Sequence, residues 1–277
     1  MLRADYVEVV GRALSEDLGS LGDLTSDACV PATAESKGRF VARTAGVVAG
    51  LEVAAYVFEA LDPSVTFEPV VADGERVAVG DPIARVSGHS RSILSGERTA
   101  LNLLGRMSGV ATATAELVEA VSGTGARISD TRKTMPGLRA LDKYAVRTGG
   151  GMNHRFGLYD AVLIKDNHLV ATGDIAAAVA AARAAVEPGV MIEVEVENLD
   201  QLAQVLEAGA DRVLLDNMSP DLLQEAVALV GGRITTEASG GITLENVRLV
   251  AETGVDIISV GWITHSAQQL DIALDFT

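Results

Sequence analysis

Cysteine is almost missing. Cys29 stands alone in 277 residues, which excludes an internal disulfide and any zinc site built on cysteine, and makes a reducing cytoplasm the expected setting. Aromatic residues are scarce too, with four Tyr, five Phe and one Trp. The longest stretch without Asp, Glu, Lys or Arg runs over 14 residues, from Ile257 to Leu270, short of the ~18 needed to span a bilayer. MLRADYVEVV at the start carries acids early and has no apolar core, so no signal peptide is expected. Positive charge is in deficit: 22 Lys and Arg face 38 Asp and Glu, a net of −16. Such a surface repels phosphate backbones and anionic lipid, so neither nucleic acid nor membrane is an expected partner. No G-x-G-x-x-G and no P-loop occurs.

The positive charge that is present is concentrated. Between Arg127 and His168 eight basic side chains (Arg127, Arg132, Lys133, Arg139, Lys143, Arg147, Arg155, Lys165) meet four acids (Asp130, Asp142, Asp160, Asp166). A generic basic run is a solvated helix face, but RTGGGMNHR and the strand-like AVLIK break this one, so its charges cannot all line one helix. A concave site for a multiply anionic small molecule is the better expectation.

From about residue 127 onward, short β-rich runs alternate with helical spacing. Strands are expected near Arg127–Ser129, Ala161–Lys165, Met191–Val196, Arg212–Asp216, Ile234–Glu237 and Asp256–Val260. Helices are expected over Ile175–Val186, Asn198–Ala208 and Thr243–Thr253, each opening on Asp, Asn or Thr as a cap. The pattern implies an α/β fold with a parallel sheet, and its short regular loops favour a barrel over an open doubly wound sheet. The fold class is therefore an incomplete βα barrel of about six to seven parallel strands, over 111–267, with a smaller α/β sandwich domain over 1–110 that 268–277 completes. In the smaller domain Arg3–Leu18 reads as a helix, GDLTSDACVP as a loop, and Phe40–Val48, Val65–Val71 and Ile83–Val86 as strands around a helix at Leu51–Leu61. VADGERVAVGDPIARV has the flavour of a carrier-domain hairpin but contains no lysine to carry a prosthetic group. Ser95–Ala120 reads as a long helix. In a βα barrel the strand C-termini face one mouth, where catalytic groups collect, and here they end in Asp130 to Lys133, Lys165-Asp166, Glu195, Asp216, Glu237 and Gly261.

DTRKTMPGLRALDKYAVRTGGGMNHRFGLYDAVLIKDNHL, residues 130 to 169, together with GDLTSD, ERTALNLL, IEVEVEN, LLDN, EASGGI and VGWITHS, closely resembles the quinolinate phosphoribosyltransferase family of NAD biosynthesis. The resemblance covers nearly the whole chain in family order. It implies a pentosyltransferase that joins quinolinate to phosphoribosyl pyrophosphate and releases pyrophosphate and carbon dioxide to leave nicotinate mononucleotide. Both substrates are polyanions, and fixed arginines suit carboxylates while lysine serves as a point charge. The resemblance places Arg98, Thr131, Arg132, Lys133, His154 and Arg155 around quinolinate, with Arg98 reaching in from a neighbouring subunit of a homodimer or higher oligomer. It places Lys165 on the pyrophosphate side, and Glu195 and Asp216 at the ribose hydroxyls and a magnesium ion held through water or substrate. Lys133, Lys165, Glu195 and Asp216 are the expected catalytic residues. Glu193 and Glu197 share a strand face with Glu195 and stand as bystanders or substitutes for it.

Ser239-Gly240-Gly241 between a strand and a helix, with Gly261 after the last strand and His265 beyond it, forms the expected phosphate cradle. Trp262 departs from the family pattern, where a small residue is expected beside that cradle. Two other readings stay open: a related paralogue acting on nicotinate or linked to molybdenum transport, and a non-catalytic phosphosugar sensor on the same fold.

Overall fold

The computed structural model describes all 277 residues, which form two compact units. One comprises Met1–Ala115, Thr134–Gly150 and Trp262–Thr277, the other Glu116–Lys133 and Gly151–Gly261. No helix is long and apolar enough to cross a membrane, and Cys29 is free and exposed.

The first unit contains helices α1 (Ala4–Leu18), α2 (Leu24–Cys29) and α3 (Leu51–Leu61), strands β1 (Glu35–Ala42), β2 (Gly46–Val47), β3 (Thr66–Pro69), β4 (Arg76–Val77) and β5 (Pro82–His89), and most of α4 (Ser90–Ala120). The antiparallel order β3-β5-β1 is extended at the β1 edge by a C-terminal strand, Ile272–Phe276, while β2 pairs separately with β4. Phe40, Phe58 and Phe67 meet between this sheet and α3, with ring centroids 5.4 to 6.1 Å apart. Helix α1 buries Tyr6, Val9, Val10 and Leu14, the i, i+3, i+4 spacing of one helix face. GDLTSDACVP is not a plain loop: Asp23 accepts from the N–H groups of Thr25 and Ser26, and such a cap suffices to start the six-residue α2. The strand expected over Phe40–Val48 is likewise interrupted, β1 ending at Ala42 and β2 starting at Gly46.

The second unit opens with β6 (Arg127–Ser129). The chain then contributes α5 (Arg139–Thr148) to the first unit before returning with β7 (Val162–Ile164), α6 (Asp166–Thr172), α7 (Ile175–Ala185), β8 (Ile192–Val196), α8 (Leu199–Ala208), β9 (Arg212–Asp216), α9 (Pro220–Val230), β10 (Thr235–Ser239), α10 (Val247–Ala251) and β11 (Ile257–Ser259). α11 (Trp262–His265) and the edge strand β12 (Ile272–Phe276) belong to the first unit.

The parallel order is β6-β11-β10-β9-β8-β7. Because β11, the last strand, pairs with β6, the first, the sheet wraps back on itself. Met152 bridges Ser129 on the free side of β6, and the ladder is open between that segment and β7. This is an incomplete βα barrel. Asp174 and Asn198 cap α7 and α8 as expected, accepting from Ala177 N–H and Gln201 N–H. Thr243 does not cap α10: its own N–H is bound by the Asn246 side chain, so the chain turns first and the helix begins at Val247.

The cationic island is split by this architecture. Lys143 lies on α5 with no exposed surface, Arg139 donates to Thr134 and Arg147 lies over the Tyr144 ring, all in the first unit. Arg127, Arg132, Lys133, Arg155 and Lys165 remain in the second.

Candidate active site

Alternation along each parallel strand sends every second side chain to the barrel interior. At the C-terminal ends this brings together residues distant in sequence. Lys165, just past β7, forms an ion pair with Glu195 on β8. The Lys165 backbone N–H donates to His168 Nδ1 at 2.9 Å, tying the start of α6 to the strand end. On β9, Asp216 accepts from Ser239 Oγ at 2.5 Å and from Asn217 Nδ2 at 2.6 Å. Glu195 registers with Leu214, two residues before Asp216 on the neighbouring strand, so the two acids stand diagonally on one face.

Asn217 is the one non-glycine residue with positive φ, at 53°, a conformation Asn tolerates better than most. Its N–H is held by the Ser239 carbonyl at 2.9 Å. Gly240 is required beside it, since a Cβ there would lie 2.1 Å from Asn217 Oδ1, and its φ is +93°. Gly241 is also left-handed and open around its Cα, which leaves a turn with bare backbone between β10 and the approach to α10.

Below the strand ends lies a buried charged layer. His154 Nε2 is 3.0 Å from Glu193 Oε2 and 3.4 Å from Glu237 Oε1, and Arg212 Nη1 is 3.2 Å from Glu237 Oε2. Neither glutamate has exposed surface. Burial, then the charge of Glu193, pushes the Glu237 carboxyl up to about 7. Burial pulls the His154 pKa down, but the close Glu193 carboxylate and the charge of Glu237 outweigh it, for a net rise.

The loop leading to Arg155 is fixed from several sides. Asp130, fully buried after β6, accepts from Asn153 Nδ2 at 2.6 Å and from His154 N–H at 2.9 Å. Arg155 N–H donates to His154 Nδ1 at 2.7 Å, and Arg155 Nη1 to the Ala161 carbonyl at 3.1 Å. Burial and then the nearby charge of Arg132 lower the Arg155 pKa. Arg155 Nε is buried without a hydrogen-bond acceptor in the chain. Two guanidiniums close enough to repel, one with a buried donor unused, suit a ligand carrying more than one negative charge.

Residues 110–275 match the family model described as quinolinate phosphoribosyl transferase, C-terminal domain, and residues 23–108 match its N-terminal domain. The chain belongs to the quinolinate phosphoribosyltransferase family. It is 47% identical over 273 residues to the nicotinate-nucleotide pyrophosphorylase [carboxylating] of Mycobacterium leprae, covering 97% of this chain and 96% of that one. It is 46% identical over 262 residues to the probable enzyme of the same name from Bacillus subtilis, covering 95% and 90%. The crystal structure of NadC from Streptococcus pyogenes superposes with a TM-score of 0.96 at 40% identity, over 100% of this chain and 98% of that one.

Of the site residues expected for a quinolinate phosphoribosyltransferase, twelve fall in the second unit: Thr131, Arg132, Lys133, His154, Arg155, Lys165, Glu195, Asp216, Ser239, Gly240, Gly241 and Gly261. Thr131 Oγ1 accepts from Lys133 N–H at 3.0 Å and shapes the turn after β6. Arg98, exposed on α4, and His265, exposed at the end of α11 with Nδ1 2.6 Å from Ser266 Oγ, belong to the first unit. Trp262 is half-buried and its carbonyl accepts from Ser266 N–H. Sequence reasoning passed over Glu193 as a bystander, gave Arg212 no role and set Glu237 at a strand end facing the mouth; β10 instead runs on to Ser239, so Glu237 lies inside the strand and is fully buried. The signal available was their period-two spacing with Glu195 and Ser239, which places Glu193 and Glu237 one layer deeper in the barrel. Glu197 is exposed, and its N–H is bound by Gln201.

Proposed function

We infer that the chain joins quinolinate to phosphoribosyl pyrophosphate, releasing pyrophosphate and carbon dioxide and leaving nicotinate mononucleotide, the phosphoribosyl transfer for which its family is named. The observation that carries the reading is the Arg132 and Arg155 pair, with a buried Arg155 donor left for a ligand. Quinolinate bears two adjacent carboxylates, and a planar guanidinium binds carboxylate through parallel hydrogen bonds. Lys133 and the Thr131 turn add donors at the same strand end.

Lys165, tethered to Glu195, contacts the pyrophosphate side of the sugar donor. Glu195 and Asp216 approach the ribose hydroxyls, and Ser239, Gly240, Gly241 and Gly261 receive the 5′-phosphate on backbone N–H groups. For Arg98 and His265 the assignment rests on the family resemblance alone. As pyrophosphate leaves, positive charge develops at the anomeric carbon, where the two preorganised carboxylates stabilise it. The pyridine nitrogen forms the new bond to that carbon. The quaternised ring then accepts the electron pair of the breaking carbon–carboxylate bond, and a proton takes the place of carbon dioxide. The protein holds both substrates in line and excludes water.

Glu195 and Asp216 fit magnesium bound through water or substrate oxygens, because each Asp216 oxygen accepts one hydrogen bond and keeps lone-pair capacity. When bound, that ion would supply charge neutralisation for the departing pyrophosphate.

Release of carbon dioxide and pyrophosphate is measured with magnesium, phosphoribosyl pyrophosphate and either quinolinate or nicotinate. Both products with quinolinate alone support the reading. Pyrophosphate release with nicotinate moves it to the paralogue, and ligand binding without turnover moves it to the sensor. The homodimer with Arg98 acting in trans is tested by mixing Arg98→Ala with Lys165→Ala subunits. Recovered activity supports a shared site, and its absence in proven mixed dimers refutes one.

A further inference from the structure

We propose that Asp130 is a positioning residue, which through the Asn153 side chain and the His154 backbone N–H sets the separation between Arg132 and Arg155. The inference rests on the proposed quinolinate site and concerns how its two arms are held together. Asp130 has no exposed surface. It stands immediately after β6 and leads directly into Thr131, Arg132 and Lys133. Its Oδ1 accepts from the His154 N–H at 2.9 Å and its Oδ2 from Asn153 Nδ2 at 2.6 Å, and His154 is the residue before Arg155. One carboxylate therefore joins the two segments from which the guanidiniums extend.

The backbone shows why a side chain is needed at this point. Met152 bridges Ser129 in the parallel sense, its N–H on the Ile128 carbonyl at 2.8 Å and its carbonyl accepting from the Asp130 N–H at 3.2 Å. A continued parallel ladder would send the His154 N–H to the Asp130 backbone carbonyl. That carbonyl instead accepts from Ser129 Oγ at 3.3 Å, and the Asp130 carboxylate takes the His154 N–H. The two segments thus leave ladder geometry while staying joined.

An ionised carboxylate only accepts, and its bonds to N–H donors are strong where water is excluded. A ligand with two carboxylates is held at two points, so its binding depends on the spacing of the two arginines. A shift of about 1 Å in such a site costs on the order of 10²-fold.

Reversing the side-chain bond tests the role. Asn153→Asp sets carboxylate against carboxylate and should raise the KM for quinolinate about 10- to 100-fold, with the KM for phosphoribosyl pyrophosphate unchanged. Adding Asp130→Asn supplies an amide donor to the new carboxylate while the amide oxygen keeps the His154 N–H, and should bring the KM back to within about 5-fold of wild type. Asn153→Ala, a milder change that removes only the 2.6 Å bond, should raise the KM for quinolinate about 10-fold. Hydrogen exchange of the substrate-free proteins across residues 152–156 is expected to quicken in Asn153→Asp and to slow again in the double variant. That measurement needs no activity, so a failure of the proposed reaction and a failure of the junction read out separately. A double variant no better than Asn153→Asp, or a wild-type KM in Asn153→Ala, overturns the proposal. Exchange that recovers in the double variant without the KM makes Asp130 a purely structural anchor and overturns it equally.

Discussion

Replacing Glu237 by Gln is expected to stabilise the protein at alkaline pH and leave it unchanged at acid pH. Glu237 has no exposed surface, and burial beside Glu193 raises its pKa from 4.5 to about 7, in spite of His154 and Arg212. Below about 4.5 the carboxyl is protonated in both folded and unfolded chains and contributes its full share of stability. As pH rises toward the folded value, the unfolded chain ionises while the folded one does not, and stability falls. The gap between 4.5 and about 7, at about 1.4 kcal/mol per pH unit, amounts to about 3 kcal/mol lost above neutral pH. Glutamine has nearly the shape of the protonated acid and cannot ionise, so it removes that slope. Urea unfolding of both proteins at about pH 4 and about pH 8 checks this: near-equal stabilities at the lower pH and a Gln variant firmer by up to about 3 kcal/mol at the higher. A wild type as stable as the variant, or more so, at the higher pH would refute the reasoning, because the ionised carboxylate would then be fully compensated by Arg212 and His154.

Arg106 grips both oxygens of the fully buried Asp142 at 2.8 and 2.9 Å and also donates to the Thr264 carbonyl. Asp142→Ala should cost about 3–5 kcal/mol, since it leaves a largely buried guanidinium without its counter-ion, and a chemical melt reads this directly. Gly240→Ala forces a Cβ against Asn217 Oδ1. It should disturb the Asp216 brace, lowering kcat/KM for phosphoribosyl pyrophosphate at a stability cost of about 1–3 kcal/mol. Arg155→Ala should reduce kcat/KM for quinolinate by about 10²- to 10³-fold, as expected for losing two charge-assisted hydrogen bonds, with circular dichroism unchanged. Chelation of divalent ions should abolish turnover, and added magnesium should restore it; full activity in chelator would remove the metal role from Glu195 and Asp216.

Local chemistry made much of this protein legible before folding. Alternating apolar runs and capping residues such as Asp174 and Asn198 marked strands and helices of the parallel sheet, because period and hydrogen-bonding demand are properties of short segments. Position at a strand end set Lys165, Glu195, Asp216 and Glu237 at one mouth, since a parallel barrel brings its C-terminal ends together, and the family resemblance singled out the first three. A dense run of shared motifs pointed to the family. Local signals also misled where a side chain decided the outcome: Asp23 turns an expected loop into α2, and Asn246 delays the helix expected from Thr243.

Depth was beyond the sequence. Glu193, Glu195 and Glu197 have identical spacing, yet one is fully buried against His154, one pairs with Lys165 at the mouth and one lies past the end of β8, exposed. Only the register of β8 against β7 and β9, together with the return of β11 to β6, decides which carboxylate loses its water. The split of the cationic island and the joining of β12 to β1 have the same origin. Sequence determines which groups exist and how they alternate; tertiary structure decides which charges are desolvated and paired, because dielectric surroundings and distance belong to the folded chain as a whole.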